Sequence, residues 1–177
     1  MQFNNKALEC AKLVKLLILD VDGVLTDGGI YFDDNGSEFK RFNALDGHGI
    51  KMLRNFGVEI AIISARNTEC VSHRIKNLGL EHYYPGQSNK SKAYKQLLLK
   101  LNMDSKHVAY VGDDVIDLPV MSKVALPIAV ANAHEFVKER AIAITNKSGG
   151  HGAIREVCDA ILQAQDGYDG LMKEYLE

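Results

Sequence analysis

Two aspartates, Asp20 and Asp22, separated by one valine, stand at the end of an unbroken apolar run that begins at Leu16. Such a run reads as a central parallel strand covered on both faces. In sheets of that kind, ligands gather outside the carboxyl ends of the strands. Two acids at the mouth of a buried strand are costly unless something compensates them, and a metal ion with a phosphate would do so. A single Asp in that place is commonly the cap of the next helix, but a cap does not account for the whole pattern DVDGVLT, residues 20–26. A second acidic group, Asp113, Asp114 and Asp117 in GDDVID, follows another apolar run. A helix N-terminus would explain one of these three acids, not all of them. Every candidate ligand is an oxygen, with no His or Cys at ligand spacing. That selects a hard ion that keeps several waters, Mg²⁺ rather than Zn²⁺.

The run DVDGVLT resembles DxDGxxT, the first motif of the haloacid dehalogenase superfamily, most of whose members are phosphatases. Hydrolysis of a phosphate monoester is among the slowest reactions in water. It needs an in-line nucleophile, neutralisation of the phosphoryl charge, and a proton for the departing alkoxide. On this resemblance Asp20 is the nucleophile, forming an aspartyl-phosphate, and Asp22 is the general acid and then the base toward water. That double role asks Asp22 to be protonated as substrate arrives, through burial and nearby negative groups. Gly23 lets the backbone turn close to the phosphate and offers its N–H. Ser64, closing VEIAIIS, matches the second motif, a hydroxyl that donates to a phosphoryl oxygen. Lys90 in GQSNK matches the third, a cation. Lys92 competes for that role, but Lys90 lies in a first helical turn, where a cation opposes the dipole and so asks for another reason. Asp113 matches the metal ligand of the fourth motif. Asp117 is either a further ligand or holds the ligand shell through water, and Asp114 orients Lys90 or the metal's waters.

The elements that must position these residues alternate along the chain. Strands are expected at 16–20, 58–64, 82–84, 107–112, 124–130 and 141–145. Helices are expected at 5–14, 48–56 (capped by Asp46), 67–78, 88–101, after Asp117, and at 153–165. This is the pattern of an α/β doubly wound parallel sheet with helices on both faces, in one domain spanning residues 1–177. A β-hairpin at about 28–42, with strands Ile30–Phe32 and Glu38–Phe42 around the turn DDNG, interrupts the alternation just after the first motif. It is expected to project over the site as a flap. No structure is expected for the tail, residues 166–177.

Superfamily members choose substrates with inserted caps. Here 41 residues separate Asp22 from Ser64, and neither that gap nor the one before Lys90 can hold a cap domain. The hairpin is the only cover the chain brings, so a neighbouring subunit is expected to supply the lid. Among cap-less members the chain is similar to the 3-deoxy-D-manno-octulosonate 8-phosphate phosphatases. The likeness runs from about Lys15 to Gln165 through LLILDVDGVLTDG, FNALDGHGI, PGQSNK, YVGDDVIDLPVM and GGHGAIREVCDAILQAQ. It implies a homotetramer whose hairpins pack together, with a C-terminal tail reaching toward a neighbouring site, and a place in lipopolysaccharide biosynthesis. It also implies Mg²⁺ held by Asp20, the Asp22 carbonyl and Asp113, and a substrate pocket of Asn43, Ala44, Leu45, Asp46, Gly47, Lys51, Arg66, Arg74 and Lys90. A sugar-acid phosphate carries a carboxylate besides its phosphate, which suits Arg66 and Arg74. Rival readings are a phosphatase for another sugar phosphate, such as a nonulosonate 9-phosphate, a non-catalytic assembly module, and a receiver-type signalling domain. The full set Asp20, Asp22, Ser64, Lys90 and Asp113 speaks against the assembly module, and Asp22 against the receiver domain.

Bulk properties narrow the partners. A net charge of −2 without a basic run argues against nucleic acid, and no apolar run approaches the ~20 residues of a membrane span. The three cysteines are odd in number and scattered, as in a reduced, cytoplasmic protein.

Overall fold

The computed structural model describes residues 3–177. Helix α1 (Asn5–Ala11), with the Asn4 side chain accepting from Ala7 N–H, leads into β1 (Leu16–Leu19), whose four residues are all buried. Burying each such side chain contributes about 2 kcal/mol, which explains an apolar run with no polar alternation. The hairpin follows as β2 (Tyr31–Phe32) and β3 (Glu38–Phe39), antiparallel and separate from the main sheet. Its strands are shorter than expected: only Tyr31–Phe39 and Phe32–Glu38 pair, and from Lys40 the chain turns inward. The turn is set by Asp33, whose carboxylate accepts from the N–H groups of Asn35 and Ser37 at 3.0 and 2.7 Å.

Helix α2 (Ala44–Asn55) begins earlier than expected, and its cap is Asn43, whose Oδ1 accepts from Leu45 N–H at 2.8 Å. Asp46 is not that cap; it lies inside the first turn, buried. Then come β4 (Glu59–Ile63), α3 (Glu69–Leu78) ended by Gly79, β5 (His82–Tyr84), α4 (Lys90–Leu101) and β6 (Val108–Gly112). A 3₁₀ turn at Val115–Asp117 enters the short α5 (Leu118–Met121), which accepts Pro119 in its first turn, where no N–H is needed. The rest is β7 (Leu126–Ala129), α6 (Glu135–Lys138), β8 (Ala143–Ile144), α7 (Ala153–Ala164) and α8 (Tyr168–Glu174). The tail is therefore helical. Its Tyr175 ring meets His48 of α2 edge-on, with centroids 5.5 Å apart. No helix among the described residues is long and apolar enough to cross a membrane.

The main sheet has six parallel strands in the order β5-β4-β1-β6-β7-β8. The chain steps outward from β1 through β4 to β5, then returns to lay β6 on the other side of β1. This reversal opens a crevice at the carboxyl ends of β1 and β6. Leu19 pairs with Val111, and Asp20 N–H continues the ladder to the Val111 carbonyl at 3.1 Å. The residues that follow the two strands, Asp20 and Asp113, therefore meet across that crevice.

Candidate active site

Asp20, Asp113 and Asp117 bring carboxylate oxygens within 4.8 Å of one another. Lys90, the first residue of α4, places its ammonium 2.7 Å from Asp20 Oδ1 and 2.7 Å from Asp117 Oδ1, and all three side chains are buried. A cation in a first helical turn is thus held by two acids from β1 and the turn after β6. Lys92 is exposed on the outer face of the same helix. Burial raises the Asp20 pKa to about 7, helped by Asp117 and opposed by Lys90. Burial also raises Asp113 to about 8, with Asp20, Asp117 and Asp114 adding to it. Burial works against the charge of Lys90, but the Asp20 and Asp117 carboxylates outweigh it and its pKa rises. One lysine does not neutralise three carboxylates. The surplus negative charge, presented by oxygens alone, fits a hard divalent cation.

Asp117 has both oxygens occupied. Oδ1 accepts from Lys90 and from the Tyr110 hydroxyl, each at 2.7 Å, and Oδ2 accepts from the N–H groups of Asp113 and Asp114 at 3.0 and 3.3 Å. Asp117 thus holds Lys90, one of the two tasks open to Asp114 from the sequence. Asp114 instead caps the 3₁₀ turn through Val115 N–H. Tyr110, missed in the sequence, is fully buried in β6, and burial together with Asp117 and Asp20 pushes its pKa well up.

The loop after β1 is built by its threonine and glycine. Thr26 Oγ1 accepts from the N–H groups of Gly23 and Gly28 and donates to the Val21 carbonyl. The Gly23 N–H is therefore turned into the loop, not toward a phosphate as expected. Gly23 has φ +84°, and a Cβ there would lie 2.0 Å from Asp113 Oδ2. Ser64, buried at the end of β4, has an Oγ that accepts from Arg66 N–H at 3.2 Å.

A cavity of about 210 Å³ opens over these groups, lined among others by Asp20, Asp22, Gly23, Arg66 and Asp113. Asp22, half-buried, shares the cavity with Asp20 and Asp113, and Lys40 of the flap ion-pairs with its Oδ1. The same ammonium meets Glu38 Oε1 at 2.8 Å, and Glu38 Oε2 accepts from Arg66 at 2.7 Å. Lys40 and Glu38 were missed. Their period-two spacing, which puts both side chains on one side of the extended segment that starts with β3, was the available signal.

The remaining pocket residues gather elsewhere, around the N-terminus of α2. Arg74 donates to the Asn43 carbonyl at 3.2 Å and packs against Gly47 and the Phe42 ring. Asn43 also donates to the Gly150 carbonyl at 3.3 Å. Ala44, Leu45 and Lys51 are exposed. The Asp46 carboxylate faces α7, accepting from Arg155 N–H at 2.8 Å. Of the sugar-pocket set, Arg66 lines the cavity with Asp20 and Asp22, and Lys90 touches Asp20.

A doubly wound sheet with its acids at the β1/β6 crevice, and a hairpin directly after the first strand, defines a hydrolase of the haloacid dehalogenase type. Residues 83–157 match the family of haloacid dehalogenase-like hydrolases. The 3-deoxy-D-manno-octulosonate 8-phosphate phosphatase of Escherichia coli K12 is 52% identical over 159 residues, 90% of this chain and 85% of that protein. The crystal structure of a probable YrbI-family phosphatase from Pseudomonas syringae superposes with a TM-score of 0.96 at 49% identity, covering 98% of this chain and 99% of that one. The 3-deoxy-D-manno-octulosonate 8-phosphate phosphatase of Moraxella catarrhalis, solved with magnesium, phosphate and KDO, superposes at 0.94 with 39% identity, covering 97% and 98%. The chain belongs to the 3-deoxy-D-manno-octulosonate 8-phosphate phosphatase family of these hydrolases.

Proposed function

We propose that this chain hydrolyses 3-deoxy-D-manno-octulosonate 8-phosphate to the free sugar acid and phosphate, with residues 3–177 acting as one catalytic domain. The observation that carries this reading is the Asp20, Asp113, Asp117 and Lys90 cluster at the mouth of the switch-point crevice, in a chain about half identical to phosphatases of that name. Asp20 attacks phosphorus in line with the leaving oxygen, and Asp22, at the same mouth, protonates that oxygen and then takes a proton from the attacking water. Lys90 and the Ser64 hydroxyl neutralise and orient the phosphoryl oxygens. Asp20, Asp113 and the Asp22 carbonyl would hold Mg²⁺. When bound, that ion supplies charge neutralisation to the phosphoryl group. Asp117, its oxygens already taken, holds Lys90 and the Asp113 backbone in place. Arg66 receives the sugar acid's carboxylate.

At about 210 Å³ the cavity falls short of the roughly 300–1,000 Å³ usual for small-molecule sites. It suits the phosphoryl end of the substrate and leaves the sugar to be covered by another surface. Ile30, Phe32 and Phe39 on the flap are 55, 59 and 52% exposed. Such apolar exposure supports a homotetramer built through the hairpins, with Asn43–Gly47, Lys51 and Arg74 serving the sugar there. Three free cysteines suit the cytoplasm. The test is Mg²⁺-dependent phosphate release across a panel of sugar phosphates, with Asp20→Asn as the blank. A marked preference for the octulosonate 8-phosphate is expected, and equal rates on all members would refute the assignment.

A further inference from the structure

The flap carries a chain of charges to which the roles above assign no task. Lys40 has a side chain with no exposure, although most of the hairpin around it is open to solvent. Its ammonium lies on Asp22 Oδ1 and, at 2.8 Å, on Glu38 Oε1, while Glu38 Oε2 holds Arg66 at 2.7 Å. Asp22–Lys40–Glu38–Arg66 is thus a continuous line whose two ends both face the cavity. Sealing a lysine from water is costly unless acids meet it, and a staple for the hairpin would need only Glu38. Lys40 is instead shared with Asp22, for which no other ion-pair partner occurs among the described residues.

We propose that Lys40 is a positioning residue, which aims the Asp22 carboxyl at the leaving oxygen and, through Glu38, ties that aim to Arg66. The inference rests on the roles of Asp22 and Arg66 given above. The P–O bond to the sugar breaks as the Asp20–P bond forms, and the proton passes from Asp22 only if the carboxyl points at the departing oxygen. A misplacement of about 1 Å costs on the order of 100-fold. Glu38 occupies the guanidinium that the substrate's carboxylate would take, so substrate and Glu38 compete for Arg66.

The test compares the Mg²⁺-loaded wild type, Lys40→Met, Lys40→Arg and Glu38→Gln on the sugar-acid phosphate and on p-nitrophenyl phosphate. The aryl leaving group needs no proton and carries no carboxylate. In a single turnover, Lys40→Met is expected to slow release of the sugar acid about 100-fold and release of p-nitrophenolate by no more than about threefold; the later attack of water, in which Asp22 is the base, is common to both substrates and lies outside this comparison. Lys40→Arg recovers most of the loss. Glu38→Gln lowers KM for the sugar-acid phosphate and leaves that for the aryl phosphate unmoved. Equal losses on both substrates, or none, overturn the proposal and leave Lys40 a support of the hairpin. If Lys40→Met does not fold, Lys40→Gln takes its place in the leaving-group comparison, and the KM split of Glu38→Gln decides in the same way. If the wild type ignores sugar-acid phosphates yet cleaves other alkyl phosphates, the substrate assignment fails, and the alkyl-against-aryl comparison still judges Lys40.

Discussion

The Lys90 ammonium stands 2.7 Å from Asp20 Oδ1, with side-chain exposures of only 1% and 5%. Removing one partner of a buried pair strands the other, at a cost of about 3–5 kcal/mol. Lys90→Met leaves Asp20 and Asp117 facing each other with no cation between them. Its kcat is expected to fall by at least about 100-fold. Its thermal midpoint in EDTA drops below that of the wild type, and added Mg²⁺ raises it by more than it raises the wild type. Thermal denaturation with and without the metal measures this.

Acid strengths in the metal-free site set a pH dependence. Asp20 at about 7 and Asp113 at about 8 hold protons more tightly folded than unfolded, where the ordinary value is 3.8. Their contribution to stability is complete below pH 4 and is lost as pH rises through 7 and 8. In EDTA the midpoint attributable to these groups therefore falls from weakly acid to weakly alkaline pH. With Mg²⁺ the fall is offset, because the cation replaces the protons, and apparent Mg²⁺ affinity rises over the same window. Scans between pH 5 and 8.5 would show the two curves diverging; parallel curves would contradict the site.

Asp113 and Asp117 are expected to differ as metal groups. Asp117 accepts four donors from Lys90, Tyr110, Asp113 and Asp114, so Asp117→Asn weakens Mg²⁺ about 10–100-fold by loosening what surrounds the ligands. Asp113→Asn abolishes Mg²⁺ binding. Calorimetric titration of both variants distinguishes the roles, and the reverse ranking would make Asp117 the ligand.

Gly23→Ala places a methyl 2.0 Å from Asp113 Oδ2 at a backbone φ of +84°. Strain of about 1–2 kcal/mol and displacement of Asp113 should cost both stability and Mg²⁺ affinity. By contrast, Gly36→Ala has the same backbone sign but open space around it, so it costs stability alone.

Whatever lay on continuous apolar runs was readable from the residues. β1 and β6 declare themselves by unbroken burial and β4 by burial of every residue after Glu59, and Asp20, Ser64 and Asp113 follow them directly. Lys90 was findable because a cation in a first turn needs a reason. The flap's chemistry was not readable in that way. Lys40 sits beside Arg41 in a segment that looks like a solvated strand, and its burial depends on Asp22, eighteen residues away. Asp46 resembled a local cap, yet it serves the N-terminus of α7, 109 residues on, while Asn43 caps α2. Helix α6, four residues long, is too short for any period to show. Helix α8 has few apolar residues, and it holds its place by packing on α7 and beside His48.

The central claim is that Asp20 carries the phosphoryl group. Asp22→Asn incubated with Mg²⁺ and p-nitrophenyl phosphate, whose leaving group needs no acid, should accept phosphate and fail to release it. Mass spectrometry of the digested protein is expected to find the phosphoryl group on the peptide containing Asp20, and none when Asp20→Asn is added to the variant. A phosphoryl group on another residue, or phosphate release by Asp20→Asn at the wild-type rate, would contradict the account.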